Sequence, residues 1–249
     1  MPSQYCFVRS VDRRVGTSSA FVVNLAQTYR TITSISLVSF ELANAIFNID
    51  TPYTAGVRFT HNASTYDMVI PASFCQIDDL RATMLALLQT AFPTAGITAV
   101  TYSLATAKLS IVFTSGLAFS VQNTTAGSLG RVLGTDPLGT ATVASAGSLT
   151  LPNVAQLYPM SSLFLRIAEL PSLMSSTNNQ HAFARVQLGS APGSMVFGNA
   201  ASGVVNTNNY STPVPSLSSL TVSLYNADGY PVDLHGVEWT FTIMITSAS

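Results

Sequence analysis

Charged side chains are what this 249-residue sequence most conspicuously lacks. Asp, Glu, Lys and Arg make up 8% of its residues, against roughly 25% in an average soluble domain, and Lys108 is its one lysine. A free monomer stays soluble through interspersed charge, whereas the cores of protein interfaces are depleted of Lys, Glu and Asp. The composition therefore favours a protein whose surface is largely covered by neighbours over a monomeric domain.

Other scarcities exclude several classes of protein. The two cysteines, Cys6 and Cys75, are too few for the disulfide framework of a small secreted domain. Ser, Thr, Asn or Gly interrupts every apolar run before it reaches the roughly 18 residues of a membrane span. No apolar stretch follows the first basic residues, so we expect no secretory signal. A net charge of −1 gives no footprint for nucleic acid, so we expect no sequence-specific nucleic-acid partner.

Groups that could perform catalysis are also few. None of the three histidines, His61, His181 and His235, has a second His or Cys at metal-ligand spacing. The sequence contains no phosphate-binding glycine loop, no G-x-S-x-G elbow and no H-E-x-x-H motif. Asp228 and Glu238 could form a carboxylate pair, but a turn and an outward strand position explain them better. We predict that the chain is not an enzyme and binds neither a metal nor a cofactor.

Apolar residues alternate with polar ones from end to end, which is typical of antiparallel strands with one buried face. In the last such segment Trp239 and Phe241 alternate with threonines, and Leu220 and Val222 do the same in the segment before it. We predict that these four residues belong to the core. The fold class predicted from the pattern is mainly β, a β-sandwich with one small α+β insertion.

The insertion is indicated by a helical pattern from Asp78 to about Ala91, which Pro93 ends. Strand patterns flank it, so we predict three parts. Residues 1–56 form the first part of the sandwich, residues 57–140 an inserted strand–helix–strand–strand lobe, and residues 141–249 the second part. Residues 134–152 and 189–216 are rich in small residues and are predicted to be connecting loops.

Two sets of residues are candidates for contacts with partners. Arg9, Arg13 and Arg14 form the one basic cluster, which could line an inner face against a genome or an acidic neighbour. Tyr210 and Tyr230 lie in loop-like segments, where exposed aromatic rings could contact a sugar.

Several segments resemble vertex (penton) and minor capsid proteins of large eukaryotic double-stranded DNA viruses and related polinton-like viruses. Residues 29–42 (YRTITSISLVSFEL) resemble an early sandwich strand of that family. Residues 217–222 and 228–241 (DGYPVDLHGVEWTF) look like its final strand pair. Residues 129–134, with Leu129, Val132, Leu133 and Gly134, are similar to the end of its inserted lobe.

The resemblance implies a single jelly roll of two four-stranded sheets, interrupted by the lobe. It also implies a pentamer at icosahedral vertices, with the major capsid protein and other minor capsid proteins as partners. The chain would belong to the virion, assembled inside the host cell, with a host receptor as a possible further partner. The same features fit a minor capsid or spike-base protein. A carbohydrate- or receptor-binding β-sandwich module is the alternative from another class.

Overall fold

The structure is a computed structural model. The residues that it describes are 2–47, 49–50, 54–125, 129–135, 141–144, 147–157, 162–170, 174–175, 181–189, 193–199 and 207–248.

Antiparallel strands dominate the described residues, and helices are few. The strands are β1 (Ser3–Arg9), β2 (Val15–Gly16), β3 (Ala20–Ala43), β4 (Val57–His61), β5 (Ser64–Met68), β6 (Ile97–Ser103), β7 (Lys108–Phe113), β8 (Phe119–Asn123), β9 (Thr142–Ala144), β10 (Gly147–Thr150), β11 (Ser162–Ile167), β12 (Met174–Ser175), β13 (His181–Ala182), β14 (Ala184–Gln187), β15 (Met195–Asn199), β16 (Thr207–Tyr225) and β17 (Thr240–Ser247). The helices are α1 (Ile77–Ala91), α2 (Leu129–Leu133) and a 3₁₀ turn at Ser10–Asp12.

The chain divides into two compact units. One combines Met1–Ile46 with Met160–Ser249, and the other is Phe47–Pro159. The three ranges proposed from the sequence, 1–56, 57–140 and 141–249, stay a prediction about domain organisation.

The first unit is built on one eight-stranded antiparallel sheet with the order β1-β17-β3-β16-β11-β14, and β2 and β15 also pair with β3. Two strands are much longer than the rest: β3 has 24 residues and β16 has 19. The second half of β3 pairs with β17 and β15, whereas its first half pairs with β2 and the last part of β16. The two long strands therefore belong to both halves of the sheet.

The sheet bends where these long strands lose register. The pairing of β3 with β16 shifts twice, and its pairing with β17 shifts near Ile32. Thr31 lies at this point with φ of 51°, a left-handed conformation that is unusual for a β-branched residue. Bulges of this kind bend a strand and increase its twist.

Ring contacts join the two halves across the core. Phe21 in the first half of β3 meets Trp239, just before β17, edge to face with ring centroids 6.2 Å apart. Trp239 also stacks on Phe241 at 5.1 Å. Because Phe21 is hydrogen-bonded into a different half of the sheet from Phe241, this contact places the two halves face to face.

The predicted core residues Trp239, Phe241, Leu220 and Val222 are all buried in this cluster. Apolar residues from both edge strands, Val8 on β1 and Val186 on β14, belong to it as well. The predicted fold class, mainly β with the strands packed as a sandwich, is confirmed. The two layers are not separate sheets, because β3 and β16 carry the hydrogen bonding from one to the other.

The second unit contains the predicted helix: α1 runs from Ile77 to Ala91 and buries Leu80, Met84 and Leu88. Strands surround it in two sheets, β10-β7-β6 and β5-β4-β8-β9. The unit has more strands than the sequence pattern predicted. One strand was predicted before the helix and two after it, whereas β4 and β5 precede α1 and β6, β7 and β8 follow it; β9 and β10 lie in the predicted loop 134–152. β9 pairs with β8 and β10 pairs with β7. Both β9 and β10 are short and lack a clear apolar alternation, so pairing with a neighbouring strand outweighs their local sequence preference.

None of the helices in the described residues is both long and apolar enough to cross a bilayer.

Replacing Trp239 with Ala is expected to lower the free energy of unfolding by about 3–5 kcal/mol, because it removes a buried ring that joins the two halves. Urea denaturation followed by far-UV circular dichroism measures the change. Leu104→Ala is the control: Leu104 is 91% exposed, so the cost should stay within about 0.5 kcal/mol. An unchanged unfolding midpoint for Trp239→Ala would contradict the packing described here.

Candidate assembly interface

Hydrogen bonds join the amino-terminal segment to the residues just before β17. We call this set of bonds, which involves Ser10, Ser18, Glu238 and Trp239, the latch. The Ser10 hydroxyl donates to the Glu238 carboxylate and accepts from the Trp239 backbone N–H at 2.9 Å. The Ser10 backbone N–H in turn donates to the Trp239 carbonyl at 2.9 Å. The indole Nε1 of Trp239 donates to the Ser18 carbonyl at 2.7 Å. The latch sets the position of β1 beside β17.

The predicted basic cluster is largely neutralised by neighbouring carboxylates. Arg9 forms a bidentate ion pair with Asp12, in which Nε and Nη2 donate to the two carboxylate oxygens at 2.7 and 2.6 Å. Arg13 Nη1 lies 2.6 Å from a Glu238 oxygen and also donates to the Ser10 carbonyl. The side chain of Arg14 is exposed. With two of its three charges paired, the cluster offers a weak field to nucleic acid, and its role at an inner face stays a prediction.

Hydrogen bonds and ion pairs lower the pKa values of two carboxyl groups in this region, Asp12 and Glu238. The Arg9 guanidinium holds the pKa of Asp12 below its ordinary value, mainly through the hydrogen bond. The bond from Ser10, and next the bond from Arg13, lower the pKa of Glu238 below 4.5. The latch therefore stabilises the ionised form of Glu238 more than the protonated form.

One outward sheet face concentrates exposed apolar side chains. It is formed by β1, β17, the second half of β3 and β15, which lie side by side in register. We call its outward side chains the aromatic face; they are Tyr5, Phe7, Arg9, Ser39, Glu41, Met195, Phe197, Thr240, Thr242 and Met244. Tyr5 is 69% exposed, and Phe7 and Phe197 are each 64% exposed.

The strand period explains how this face arises. Residues that alternate with it point into the core: Val8, Phe40 and Phe241 are buried side by side on neighbouring strands. Gly198 continues that inner row on β15, and a Cβ at this position would lie 2.0 Å from an atom of the Phe40 ring. The glycine thus lets Phe40 pack flat beneath β15 while Phe197 points outward.

Charge on the aromatic face is confined to a single row. Arg9, Thr240, Glu41 and Phe197 lie next to one another across the four strands. Arg9 is neutralised by Asp12, whereas none of the described residues forms an ion pair with Glu41. The rest of the face carries hydroxyl, methyl, thioether and aromatic groups. Such a surface loses little hydration energy when another protein covers it, because it holds few ions.

β1 also leaves one strand edge open. Among the described residues it pairs with β17 alone, and a groove of about 390 Å³ separates its other side from residues 23–29 of β3. The Gln27 side chain on β3 donates a hydrogen bond to the Gln4 side chain on β1. Burial raises the pKa of the Cys6 thiol in the groove wall, and a bond with Tyr29 offsets part of the shift.

The two tyrosines expected in loops have different surroundings. Tyr210 lies within β16 and is 9% exposed, and burial raises the pKa of its hydroxyl to about 12. Its placement in a loop is therefore corrected: alternation continues through this threonine- and asparagine-rich segment, so the ring turns into the core. Tyr230 is 39% exposed, in a turn that the Asn226 side chain holds through the Tyr230 N–H. A sugar platform made of both rings does not exist here.

The surroundings of His61 and His235 are those of a packed core residue and a turn residue. His61 is buried between the rings of Phe92 and Phe119 and bonds Ser115 Oγ at 2.9 Å. His235 lies in a turn, 3.8 Å from the carboxylate of Asp233. No group of three His, Cys, Asp or Glu residues within the described ranges could hold a metal ion. The absence of catalysis, metals and cofactors stays a prediction.

No protein-family model matches the sequence, and neither does any curated protein. Among solved structures, the chain is similar to the crystal structure of selenomethionine-labelled mavirus penton protein. The two share 12% sequence identity with a TM-score of 0.48, and the match covers 98% of this chain and all of the other.

Replacing Glu238 with Gln is expected to weaken the latch in a pH-dependent way. Because folding lowers the pKa of Glu238 below 4.5, its ionised form stabilises the protein above that pH, and the contribution disappears as pH falls through the folded-state pKa. The loss at pH 7 should be below about 1 kcal/mol, since the side chain is one-third exposed to screening water.

Unfolding free energies at pH 7, 5 and 3 measure this effect. Wild type and Glu238→Gln should differ most at pH 7, and the difference should become smaller as the pH falls below 4.5. Arg13→Gln is the matched variant and should lose part of the same pH-dependent stability. A difference that is constant from pH 7 to pH 3 would show that the latch does not depend on the carboxylate.

Proposed function

We propose that this chain is a structural subunit of a virus capsid, whose copies associate through the outer faces of the sandwich. The observation that carries the proposal is the aromatic face, where large apolar side chains stand exposed on a sheet surface with little charge. A contiguous exposed apolar patch on a soluble domain is a typical mark of a protein interaction site. Aromatic residues and methionine are also the residues that protein interfaces favour.

The composition of the chain supports the same function. Only 8% of the residues are charged, so the surface of a monomer would expose few ions and many weakly hydrated side chains to water. Contact with other copies of the chain would cover those side chains. Serine and threonine, which alternate with the core residues on β17 and β16, desolvate at lower cost than Lys or Glu.

The finer role that we propose is the penton: a ring of five copies that closes the icosahedral vertex of a double-stranded DNA virus. The motifs at 29–42, 217–222 and 228–241 that resemble the vertex and minor capsid proteins support this role. Its partners would be the major capsid protein and other minor capsid proteins, and its location the virion. A minor capsid or spike-base position would use the same aromatic face.

Light scattering of the purified chain tests the assembly. We expect an oligomer, with the mass of a pentamer equal to five times the 26.3 kDa of the monomer. Phe197→Glu should shift the mass towards the monomer, because it places a second carboxylate opposite Glu41 on the apolar surface that the contact would desolvate. Leu104→Glu is the matched control: Leu104 is 91% exposed on the hairpin between β6 and β7, outside the aromatic face.

A wild-type chain that stays monomeric at high concentration would contradict the proposal. An oligomer that Leu104→Glu dissociates but Phe197→Glu leaves intact would move the interface away from the aromatic face. For the vertex position, a reconstruction of the particle should place this chain at the fivefold axes, and density elsewhere in the shell would favour the minor capsid role.

A further inference from the structure

The sandwich of the first unit has a second outer face, and its charge is opposite to that of the aromatic face. This face is formed by β2, the first half of β3, the last part of β16, β11 and β14. We call its outward side chains the arginine face; those that matter here are Val15, Phe164, Arg166, Arg185, Ser223 and Tyr225. Val15 and both arginines are exposed, and the other three are half-buried.

The register places the two arginines close together. Ser223 lies opposite Arg166, and Phe164 lies between Tyr225 and Arg185 in the next row. Arg166 and Arg185 are therefore diagonal neighbours on adjacent strands, a separation of roughly 7–8 Å between backbones. Neither forms an ion pair with any residue that the structure describes. The carboxylate nearest in sequence, Glu169, is occupied by the N–H and hydroxyl of Thr221, at 2.8 and 2.5 Å.

The arginine face is also concave where the aromatic face protrudes. A groove of about 350 Å³ runs along it, lined mostly by apolar side chains, with Val15 and Tyr225 among them and Arg166 at its edge. On the aromatic face, Phe7 and Phe197 project from the outermost strands, with Glu41 one strand away from Phe197. An aromatic ring in such a groove would bring Glu41 towards the arginines.

The two faces point in opposite directions. Both halves of the sheet turn their inner sides to one core, and the Phe21–Trp239 contact crosses it. Contact between two aromatic faces would bring two copies of Glu41 together, and contact between two arginine faces would bring four guanidinium groups together. Contact of one face with the other pairs opposite charges, and like-charge juxtaposition is what excludes a wrong partner.

From this complementarity we infer that the aromatic face of one copy docks on the arginine face of the next, with Glu41 beside Arg166 and Arg185. The inference rests on the proposed self-association and specifies its geometry. Because the contact joins two different surfaces on opposite sides of the sandwich, it is heterologous. Repetition of such a contact generates a closed ring or a filament and not a twofold dimer.

A charge swap between the faces tests the inference in the full-length chain. Glu41→Arg and Arg166→Glu should each raise the dissociation constant of the oligomer at least about tenfold, because each places like charges in the contact. The doubly substituted chain, Glu41→Arg with Arg166→Glu, should recover most of the wild-type affinity. Sedimentation velocity over a concentration series gives the dissociation constants, and thermal melting of each variant checks that it folds.

Lys108→Glu is the matched control, since it reverses a charge of the same size on β7 in the other unit and should leave the dissociation constant unchanged. A wild type that does not associate overturns the proposed function itself. A wild type that associates, with no recovery in the double variant, overturns the heterologous contact alone. If Arg166→Glu has no effect while Glu41→Arg still weakens association, the contact does not include the arginine face and the inference is wrong.

Discussion

The packing of one continuous sheet around a single apolar core is the constraint on which the rest of this structure depends. The long strands of the eight-stranded sheet give one face to that core, and the strand period then sends every second side chain outward. Because β3 and β16 pass through both halves, neither half can rotate or slip without breaking ladder hydrogen bonds in the other. The Phe21–Trp239 contact closes the arrangement. The outer faces are thus fixed surfaces, suited to repeated contact with an identical neighbour.

The small number of charged residues is explained by the free-energy cost of covering charged side chains on the outer faces of the sandwich. Long charged side chains lose considerable rotamer entropy when an interface immobilises them, and ions are costly to desolvate. Thr240, Thr242 and Ser39 have little to lose in either respect. Among the described residues, the charges without an ion-pair partner on these faces are Glu41 on one and Arg166 with Arg185 on the other; in the contact that we propose, they would select the orientation of the partner without dominating the energetics.

Much of the fold could be predicted from the sequence because the apolar period is regular where packing is regular. Trp239, Phe241, Leu220 and Val222 are buried as their alternation indicates, and the helical pattern from Asp78 to about Ala91 corresponds to α1. Prediction failed where context outweighs pattern. The apolar alternation is interrupted in β3 because register shifts change which side chains point into the core. No local sequence signal marks Thr31 as the residue that adopts a positive φ. Tyr210 was misplaced because polar neighbours obscured a strand that its pairing with β3 creates.

The candidate interface was harder to predict than the core, for a physical reason. Exposure is a property of register: Phe7 and Phe197 are apolar residues in strands, which ordinarily indicates burial, and they share a face only because β17 and β3 lie between them. The latch is equally nonlocal, since Ser10 and Arg13 meet Glu238 from opposite ends of the chain. That latch adds side-chain hydrogen bonds to the backbone ladder between β1 and β17, so the amino-terminal residues of the aromatic face are fixed by contacts with residues near the other end of the sequence. The ion pair of Arg13 with Glu238 therefore helps to position β1 beside β17. The uncharged side chains of the resulting aromatic face keep the desolvation free energy of a protein contact low.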